Sequence, residues 1–167
     1  VNIKEQSRED VVVEFVPYHN GLRDGIEKHV KNNSLIYRAR WKQGKRDGLE
    51  EFFDKSKILR TTNYKANKKH GKEEEHLANG QILQTYYISG LKEGYQELIG
   101  ANGKLLESIY YAKDEPDGKK KTYFPSGAVE SEFLQTYGKR HGLYVRYYQN
   151  GVVAERSRYH FGILEGT

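Results

Sequence analysis

The sequence predicts an all-β fold: an elongated, twisted antiparallel sheet in which tandem β-hairpins form a single-sheet solenoid. Three observations predict this fold. Glycines recur every 23 or 24 residues. The segments between them are short and rich in tyrosine, phenylalanine and aliphatic residues, which suit strands, and pairs such as Asn-Gly, which are typical of hairpin turns, separate these segments. The pattern covers nearly the whole 167-residue chain, so we expect one repeat domain, 1–167.

The repeat is defined by the glycine that closes the hexapeptides QGKRDG (43–48), SGLKEG (89–94) and YGKRHG (137–142). We call this glycine the anchor, and successive anchors are 23, 23, 23, 24, 24 and 24 residues apart. The anchors are Gly25, Gly48, Gly71, Gly94, Gly118, Gly142 and Gly166. Because glycine takes positive φ without a steric penalty, we expect each anchor to lie in a tight turn.

Two further turn positions accompany the anchors. Four residues before the anchor, five of the seven copies carry another glycine, and the other two carry Asn67 and Asp114. Eight and nine residues after it, the later copies carry an Asn-Gly or Ser-Gly pair. The glycines of these pairs are Gly80, Gly103, Gly127 and Gly151. Each copy is therefore predicted to form two strands joined by a two-residue tip, and a GxxxG connector leads to the next hairpin.

The anchors divide the chain into seven predicted copies and a terminal stub. The copies cover residues 1–24, 25–47, 48–70, 71–93, 94–117, 118–141 and 142–165. The first copy is degenerate, because Asn2 stands where its anchor would be. Each copy adds two strands and lengthens the sheet by roughly 10 Å. The first and last strands are open edges, which predicts a homodimer through a terminal repeat.

The composition excludes several classes of function. Apolar residues make up 36% of the chain and charged residues 31%, which predicts a thin core. The absence of cysteine excludes a disulfide framework, a thiolate nucleophile and a cysteine-based metal site. The motifs GxxxxGK[ST], HExxH and GxSxG do not occur in the sequence. We therefore expect no enzymatic activity, no catalytic residues, no cofactor and no metal.

Two segments carry a resemblance to a known family. In YYQNGVVAERSRYHFGILEG (147–166) and LANGQILQTYYISGLKEG (77–94), an Asn-Gly tip is followed by an aromatic residue and a glycine-rich connector. This combination resembles the MORN repeat, and most closely the bacterial variant of YwqK-like antitoxin proteins. The copies that start at Gly25 and Gly48 depart from it, because their tips lack Asn-Gly. The resemblance implies an elongated sheet without a catalytic centre, in proteins that act as scaffolds, binding modules or membrane-apposed assemblies.

Tyrosine and phenylalanine are concentrated in the last four copies, and adjacent pairs such as Tyr110-Tyr111 place one ring on each face of a strand. One ring can pack in the thin core, and the other then faces solvent or a partner. The alternative is that the rings form cross-strand ladders that stiffen the sheet. The tyrosines selected as candidates for partner binding are Tyr87, Tyr111, Tyr144, Tyr148 and Tyr159.

Two residues before the anchor, five of the seven copies carry a basic residue, which predicts a basic row along one edge of the sheet. Its candidates for binding are Arg46, Lys69, Lys92 and Arg140. Such a row attracts anionic lipid or an acidic protein. The residue that follows is usually acidic, which favours the alternative of a solvated turn. The basic run GKKKTYF (118–124) occurs in one copy only, so nucleic acid is not an expected partner.

These observations favour a non-catalytic bacterial scaffold that binds a protein partner through an exposed aromatic face. An antitoxin-like, immunity-like or cell-envelope role would fit it. The alternative is a peripheral protein that binds anionic membrane lipids through the basic row, and the net charge of +5 is compatible with both. Because the sequence does not begin with methionine, we expect an envelope or secreted protein, with a cytoplasmic protein as the alternative.

Overall fold

The computed structural model describes residues 12–166, and within that range every regular element is a β-strand. Fourteen strands form one antiparallel sheet in the order β1, then β4 to β16, and each of these strands pairs with the next in that order. The short strands β2 and β3 form a separate hairpin between β1 and β4. The predicted all-β sheet of tandem hairpins is therefore confirmed.

The strands are short and evenly distributed. Those of the N-terminal part are β1 (Val12–Phe15), β2 (Tyr18–His19), β3 (Leu22–Arg23), β4 (Gly25–Lys31), β5 (Ser34–Lys42), β6 (Lys45–Asp54), β7 (Lys57–Lys65) and β8 (Lys68–His76). Those of the C-terminal part are β9 (Ile82–Ile88), β10 (Leu91–Ile99), β11 (Leu105–Ala112), β12 (Glu115–Tyr123), β13 (Val129–Thr136), β14 (Lys139–Tyr147), β15 (Val153–His160) and β16 (Ile163–Gly166).

The connectors, and not the Asn-Gly tips, are the two-residue hairpin turns. Gln43 and Gly44 have φ of 48° and 75°, and the flanking residues Lys42 and Lys45 face each other across β5 and β6. Positive φ at both central residues is the signature of a type I′ turn, which matches the twist of the flanking strands. The same pair of positive φ angles occurs at the connectors 20–21, 66–67, 89–90, 113–114, 137–138 and 161–162.

The Asn-Gly tips are three-residue loops, which corrects the prediction of two-residue tips. At the tip between β8 and β9, the amide of Leu77 donates to the carbonyl of Gln81 at 2.8 Å. The amide of Gly80, whose φ is +81°, donates to the carbonyl of Leu77 at 3.0 Å. This is the three-residue hairpin in which a turn is followed by a glycine bulge. The tips that contain Gly103, Gly127 and Gly151 repeat it.

Six of the seven anchor glycines have the predicted positive φ, but these six lie in strands rather than at chain reversals. Gly48, with φ of +120°, lies inside β6, where the register against β5 shifts between the pairs Trp41–Arg46 and Ala39–Glu50. A residue at this point must leave the extended conformation, and glycine does so without a Cβ clash. The other anchors within strands are Gly25, Gly71, Gly94, Gly118 and Gly142.

The change from a 23-residue to a 24-residue period has a local cause near the tips. The two copies that start at Gly25 and Gly48 combine a two-residue tip with a bulge of one extra residue. The copy that starts at Gly71 has a three-residue tip and no bulge. The next three copies have both the longer tip and the bulge, and they are one residue longer.

The core is thin, as the composition predicts. Among residues 12–166, the buried apolar side chains are Ala39, Phe133 and Val145, and the other buried positions are small polar residues or glutamates. Because directly paired residues project from the same face, the register defines the two faces of the sheet. The ladder face carries the pairs Trp41–Arg46, Tyr64–Lys69 and Tyr87–Lys92. The open face carries the pairs Ile26–Arg40, Leu49–Asn63, Lys72–Tyr86, Tyr95–Tyr110, Lys119–Leu134 and Leu143–Arg158.

Candidate functional site

Eight of the nine residues predicted to bind a partner lie together on the ladder face, where basic and aromatic side chains alternate from strand to strand. The lysines of this row, Lys69 and Lys92, each pack against a tyrosine ring of the following copy. The Nζ of Lys69 lies 4.7 Å from the ring centre of Tyr87, and that of Lys92 lies 4.8 Å from the ring centre of Tyr111. Such cation–π contacts contribute roughly 0.5–1 kcal/mol each at exposed sites. The predicted basic row and the predicted ring ladder are therefore one structure.

Arg140 occupies the C-terminal end of this ladder. Its guanidinium carbon lies 4.9 Å from the ring centres of both Phe133 and Tyr144 and 5.3 Å from that of Tyr159. Its Nη1 also donates a 3.4 Å hydrogen bond to the Tyr159 hydroxyl. Three rings thus surround one cation, and Arg140 itself remains exposed.

The tyrosines of the ladder are half-buried, and Tyr148 is the exposed member of the predicted set. Tyr87, Tyr111, Tyr144 and Tyr159 all have intermediate exposure, because the basic side chains cover their faces. Tyr148 is 56% exposed and lies in the tip between β14 and β15, where its amide donates to the carbonyl of Val152. The surface of the ladder is thus a mixture of cation and ring edge rather than a row of free rings.

Sequence reasoning missed the carboxylates that neutralise the first three basic residues of the ladder. Two residues after the anchor, the early copies carry Glu27, Glu50 and Glu73, spaced 23 residues apart, which is a signal that the sequence contains. The Nη1 of Arg46 lies 3.2 Å from a carboxylate oxygen of Glu50, and the Nζ of Lys69 lies 2.5 Å from one of Glu73. Arg23 makes the equivalent contact with Glu27 at 3.6 Å.

Two of these carboxylates are buried, and both make hydrogen bonds. Glu50 is 3% exposed and accepts a 3.1 Å hydrogen bond from the Tyr37 hydroxyl. Glu27 is 4% exposed and accepts a 2.6 Å hydrogen bond from the Trp41 indole. A buried carboxylate is costly unless it is paired and hydrogen-bonded, and both conditions are met here.

The ionisation of these groups reflects the same contacts. Burial opposes ionisation of Glu73, but hydrogen bonds from Lys69, Thr62 and Tyr87 outweigh it, so that its pKa is lowered. Burial, together with the neighbouring charge of Glu50, raises the pKa of Tyr37 to about 12. Glu73 is therefore charged and Tyr37 neutral at physiological pH.

The later copies have no carboxylate at this position. Gln96, Lys120 and Tyr144 replace the three glutamates. Gln96 donates to the Thr85 hydroxyl at 3.0 Å, and Lys120 pairs with Glu107 at 2.8 Å. Within the part of the chain that the structure describes, neither Lys92 nor Arg140 makes an ion pair.

The acidic residues beside the basic row have a structural role in the connectors. A side-chain oxygen of Asp24 accepts the amide of Gln43 at 3.2 Å, and one of Glu93 accepts the amide of Lys113 at 3.0 Å. In addition, the amide of Gly44 donates to the carbonyl of Arg23 at 2.8 Å, and five later connectors repeat this bond. Consecutive connectors are therefore linked to each other, which agrees with the interpretation of these acids as turn residues.

The open face carries large exposed apolar side chains in a row across the strands. The exposed fractions are 52% for Ile26, 39% for Leu49, 41% for Tyr86, 43% for Tyr95, 48% for Leu134 and 50% for Leu143. Together with the residues opposite them, they form six cross-strand pairs, or twelve positions, and one residue of each pair directly follows an anchor glycine. We call these twelve positions the open-face stripe. The stripe contains four basic residues and no acidic residue.

No metal-binding cluster and no membrane-spanning helix is found in the described part of the chain. Between residues 12 and 166, no group of three or more histidine, aspartate or glutamate side chains is placed to hold a metal ion. The same residues include no helix that is long and apolar enough to cross a membrane.

The comparison with protein families matches the MORN repeat variant over residues 140–160. This segment covers most of β14, including the anchor Gly142, the three-residue tip that follows, and β15. The chain is thus an all-β hairpin-repeat protein. It carries a MORN repeat of the variant type, and the predicted resemblance is confirmed there. The narrower resemblance to YwqK-like proteins gains no support from this match.

The other two comparisons add little. No curated protein matches the chain. Among solved structures, the crystal structure of an S. aureus TarM mutant in complex with Fondaparinux, alpha-GlcNAc-glycerol and UDP is similar to 78% of this chain, at 14% identity and a TM-score of 0.32. This chain spans 21% of the length of that chain, and a similarity of this size carries no argument about function.

Proposed function

We propose that this protein is a non-catalytic repeat scaffold that binds a protein partner through the open-face stripe. The observation that carries the proposal is the composition of the stripe, in which exposed apolar and tyrosine side chains are interspersed with four cations and no acid is present. Two of these cations, Lys72 and Lys119, pair with glutamates outside the stripe, and Arg40 and Arg158 remain for a partner. Contiguous exposed apolar side chains mark interaction surfaces on soluble proteins. Tyrosine is enriched in the buried centres of such interfaces.

The partner that fits this surface is a protein segment with both apolar and acidic side chains. Arg40 and Arg158 are exposed, and they flank Ile26 and Leu143 directly across the strand pairs. Apolar side chains of the partner would cover the aliphatic and tyrosine groups, and its carboxylates would meet the cations. An antitoxin-like or immunity-like role, in which the partner is a toxic protein, is the specific form that the resemblance to YwqK-like proteins suggests.

The alternative function, binding of anionic lipid through the basic row, has weaker support from the geometry. Arg23, Arg46 and Lys69 are each paired with the glutamate four residues further along the chain. Their charge is therefore already compensated within the chain. A homodimer through the sheet edges and a location in the cell envelope stay predictions.

Site-specific photo-crosslinking in the source cell tests the proposal. A photoreactive phenylalanine analogue is placed at Tyr95 on the open face and, as a matched control, at Tyr64 on the ladder face of the early copies. We expect one defined protein adduct from position 95 and none from position 64. Binding of that protein in purified form should then be lost on Leu143→Glu, because a carboxylate replaces an apolar contact. Adducts from position 64 alone, or with lipid alone, would contradict the proposal.

A further inference from the structure

On the ladder face, three residues of the basic row already bind carboxylates of the same chain. In each of the three early copies, the basic residue two before the anchor pairs with the glutamate two after it. In two of these copies the contact distances are 3.2 Å for Arg46–Glu50 and 2.5 Å for Lys69–Glu73. The cation also lies against an aromatic ring, as Arg46 does against Tyr64 at 5.4 Å. A complete unit of the ladder therefore consists of a ring, a cation and a carboxylate.

Two units in the C-terminal half have the ring and the cation but lack the carboxylate. Lys92 lies over Tyr111, and Arg140 lies among three rings. The positions that would supply the acid are Gln96 and Tyr144. Arg140 has five N–H donors, and the structure shows one hydrogen bond from them, to Tyr159. A carboxylate is the acceptor that a guanidinium pairs with in a bidentate manner.

We propose that Lys92 and Arg140 are carboxylate-binding sites, and that an acidic segment of a protein partner supplies in trans the carboxylates that Glu50 and Glu73 supply in the early copies. This second surface lies on the face opposite the open-face stripe and does not depend on it. The occupant is an acidic peptide segment because a glutamate side chain fills the equivalent site within the same molecule.

The geometry also specifies the spacing of the acidic residues. Lys92 lies in β10 and Arg140 in β14, four strands apart. At about 4.8 Å per strand, the two cations are roughly 19 Å apart, and an extended segment that crosses the strands covers this distance in about six residues. Between them, β12 carries Pro116 at the basic position, so no acid is required at the middle of the segment.

The probe for the experiment is a fluorescein-labelled twelve-residue peptide with glutamates six positions apart in a glycine-serine background. Its affinity is measured by fluorescence anisotropy at low ionic strength, where charge pairing is strongest. The control peptide carries glutamine in place of glutamate. We expect binding of the acidic peptide only, and a loss of affinity of roughly threefold to tenfold on Lys92→Gln and on Arg140→Gln.

Two further variants separate a specific site from general attraction to a basic protein. Gln96→Glu and Tyr144→Glu install the carboxylate that the early copies carry, and each should abolish the contribution of its own cation. Lys139→Gln removes the same charge from the same connector as Arg140→Gln but lies outside the ladder, so it should leave the affinity unchanged. Circular dichroism of each variant verifies that the sheet is intact.

Three results would overturn the inference: an equal loss of affinity on Lys139→Gln, an unchanged affinity on Gln96→Glu, or no binding of the acidic peptide. Vesicles with anionic phospholipid provide a separate arm. Binding of vesicles but not of peptide, with the loss of vesicle binding on Arg140→Gln, would assign the site to lipid headgroups instead. Leu143→Glu on the open face should leave peptide binding intact, so a failure of the proposed function and a failure of this inference are distinguishable.

Discussion

The copies that start at Gly25, Gly48 and Gly71 differ from those that start at Gly94, Gly118 and Gly142 in one chemically important position. The early copies place a glutamate two residues after the anchor, which is buried in the case of Glu27 and Glu50 and half-buried in the case of Glu73. The later copies place glutamine, lysine or tyrosine there. The backbone plan is nevertheless the same in both halves, with type I′ connectors and, from Gly48 onward, a register shift at each anchor. The repeat therefore fixes the path of the chain and leaves the chemistry of its ladder face free to change.

The difference has a physical consequence for each half. In the early copies, cation, ring and carboxylate complete one another, so the ladder stabilises the sheet and offers little unpaired charge. In the later copies, Lys92 and Arg140 contact rings alone, and more of the charge is available to a partner. One half thus pairs its ladder cations with carboxylates of its own chain, and the other leaves Lys92 and Arg140 without an ion pair among the described residues.

The largest expected effect on the free energy of unfolding comes from substituting anchor glycines, one in each half. It tests whether both halves share one backbone plan. A Cβ at Gly48 would lie 2.8 Å from Cδ of Arg40, and one at Gly118 would lie 2.8 Å from Cδ1 of Tyr110. Both glycines have strongly positive φ, of +120° and +147°. Gly48→Ala and Gly118→Ala should therefore each lower the free energy of unfolding by about 2–4 kcal/mol. Denaturant unfolding followed by circular dichroism measures this loss.

Gly142 provides the matched control for these two substitutions. Its φ is +80°, and nothing lies within 4 Å of a Cβ built on it. Gly142→Ala should therefore cost only the backbone strain, about 1–2 kcal/mol. An equal loss for all three variants would show that crowding by the neighbouring strand does not contribute.

The second prediction exchanges the chemistry of the two halves. Glu50→Gln removes the carboxylate that Tyr37 and Arg46 contact, and it should lower the free energy of unfolding by about 1–3 kcal/mol. The lower part of that range is expected, because the Arg46 side chain is 39% exposed and solvent screens its charge. Thermal unfolding followed by circular dichroism compares the variant with the parent protein.

The reciprocal substitution, Gln96→Glu, creates the missing ion pair with Lys92. It should raise the free energy of unfolding by less than about 1 kcal/mol, as for other partly exposed ion pairs. A loss of stability on this substitution would mean that the later copies cannot adopt the ladder of the early ones.

The third prediction concerns acid, to which the two halves should respond differently at this position. Folding lowers the pKa of Glu73 from its usual value of 4.5. Its contribution to stability is therefore fully present above that value and is lost as the pH falls through the lower folded-state pKa. Glu73→Gln should remove this part of the acid dependence, as measured by the denaturant midpoint at a series of pH values below neutrality. Gln96→Glu should increase the acid dependence of stability. Identical pH profiles of the denaturant midpoint for the parent protein and the two variants would contradict these roles of positions 73 and 96.

Much of the fold follows from the sequence, because period, turn residues and strand segments recur together. The prediction that the anchors lie in tight turns was wrong. A glycine that recurs at one position of the repeat indicates positive φ at that position, but it does not show whether the chain reverses there. The register shift at Gly48 and the reversal at Gly44 both require positive φ, and only pairing between strands distinguishes them. The reversals were also obscured by residues such as Gln43 and Tyr137, which take positive φ without being glycine.

The candidate site could be predicted in its composition but not in its contacts. The basic column and the tyrosines were identified, and the structure joins them into one ladder. The sequence does not reveal which ring of an adjacent tyrosine pair is covered, because each register shift changes which residues of a strand project from which face of the sheet. The column of Glu27, Glu50 and Glu73 was visible at its 23-residue spacing, but its burial depends on partners from neighbouring strands.

The smallest expected effect compares the tips of the two halves. Asn32 and Asn33, in a two-residue tip, have φ of 48° and 63°, and Asn-Gly is the favoured pair for such a turn. Asn33→Gly should therefore raise the free energy of unfolding by about 0.5 kcal/mol. In the three-residue tip between β14 and β15, Oδ1 of Asn150 instead accepts the amide of Val152 at 3.1 Å.

Asn150→Gly should consequently lower the free energy of unfolding, by about 0.5–1.5 kcal/mol, because it removes that hydrogen bond and adds freedom to the unfolded chain. The same chemical substitution thus has opposite signs in the early and the late copies, and chemical denaturation of the two variants side by side measures both. Effects of the same sign would mean that the two-residue tips of the copies that start at Gly25 and Gly48 do not differ from the three-residue tips in their preference for glycine.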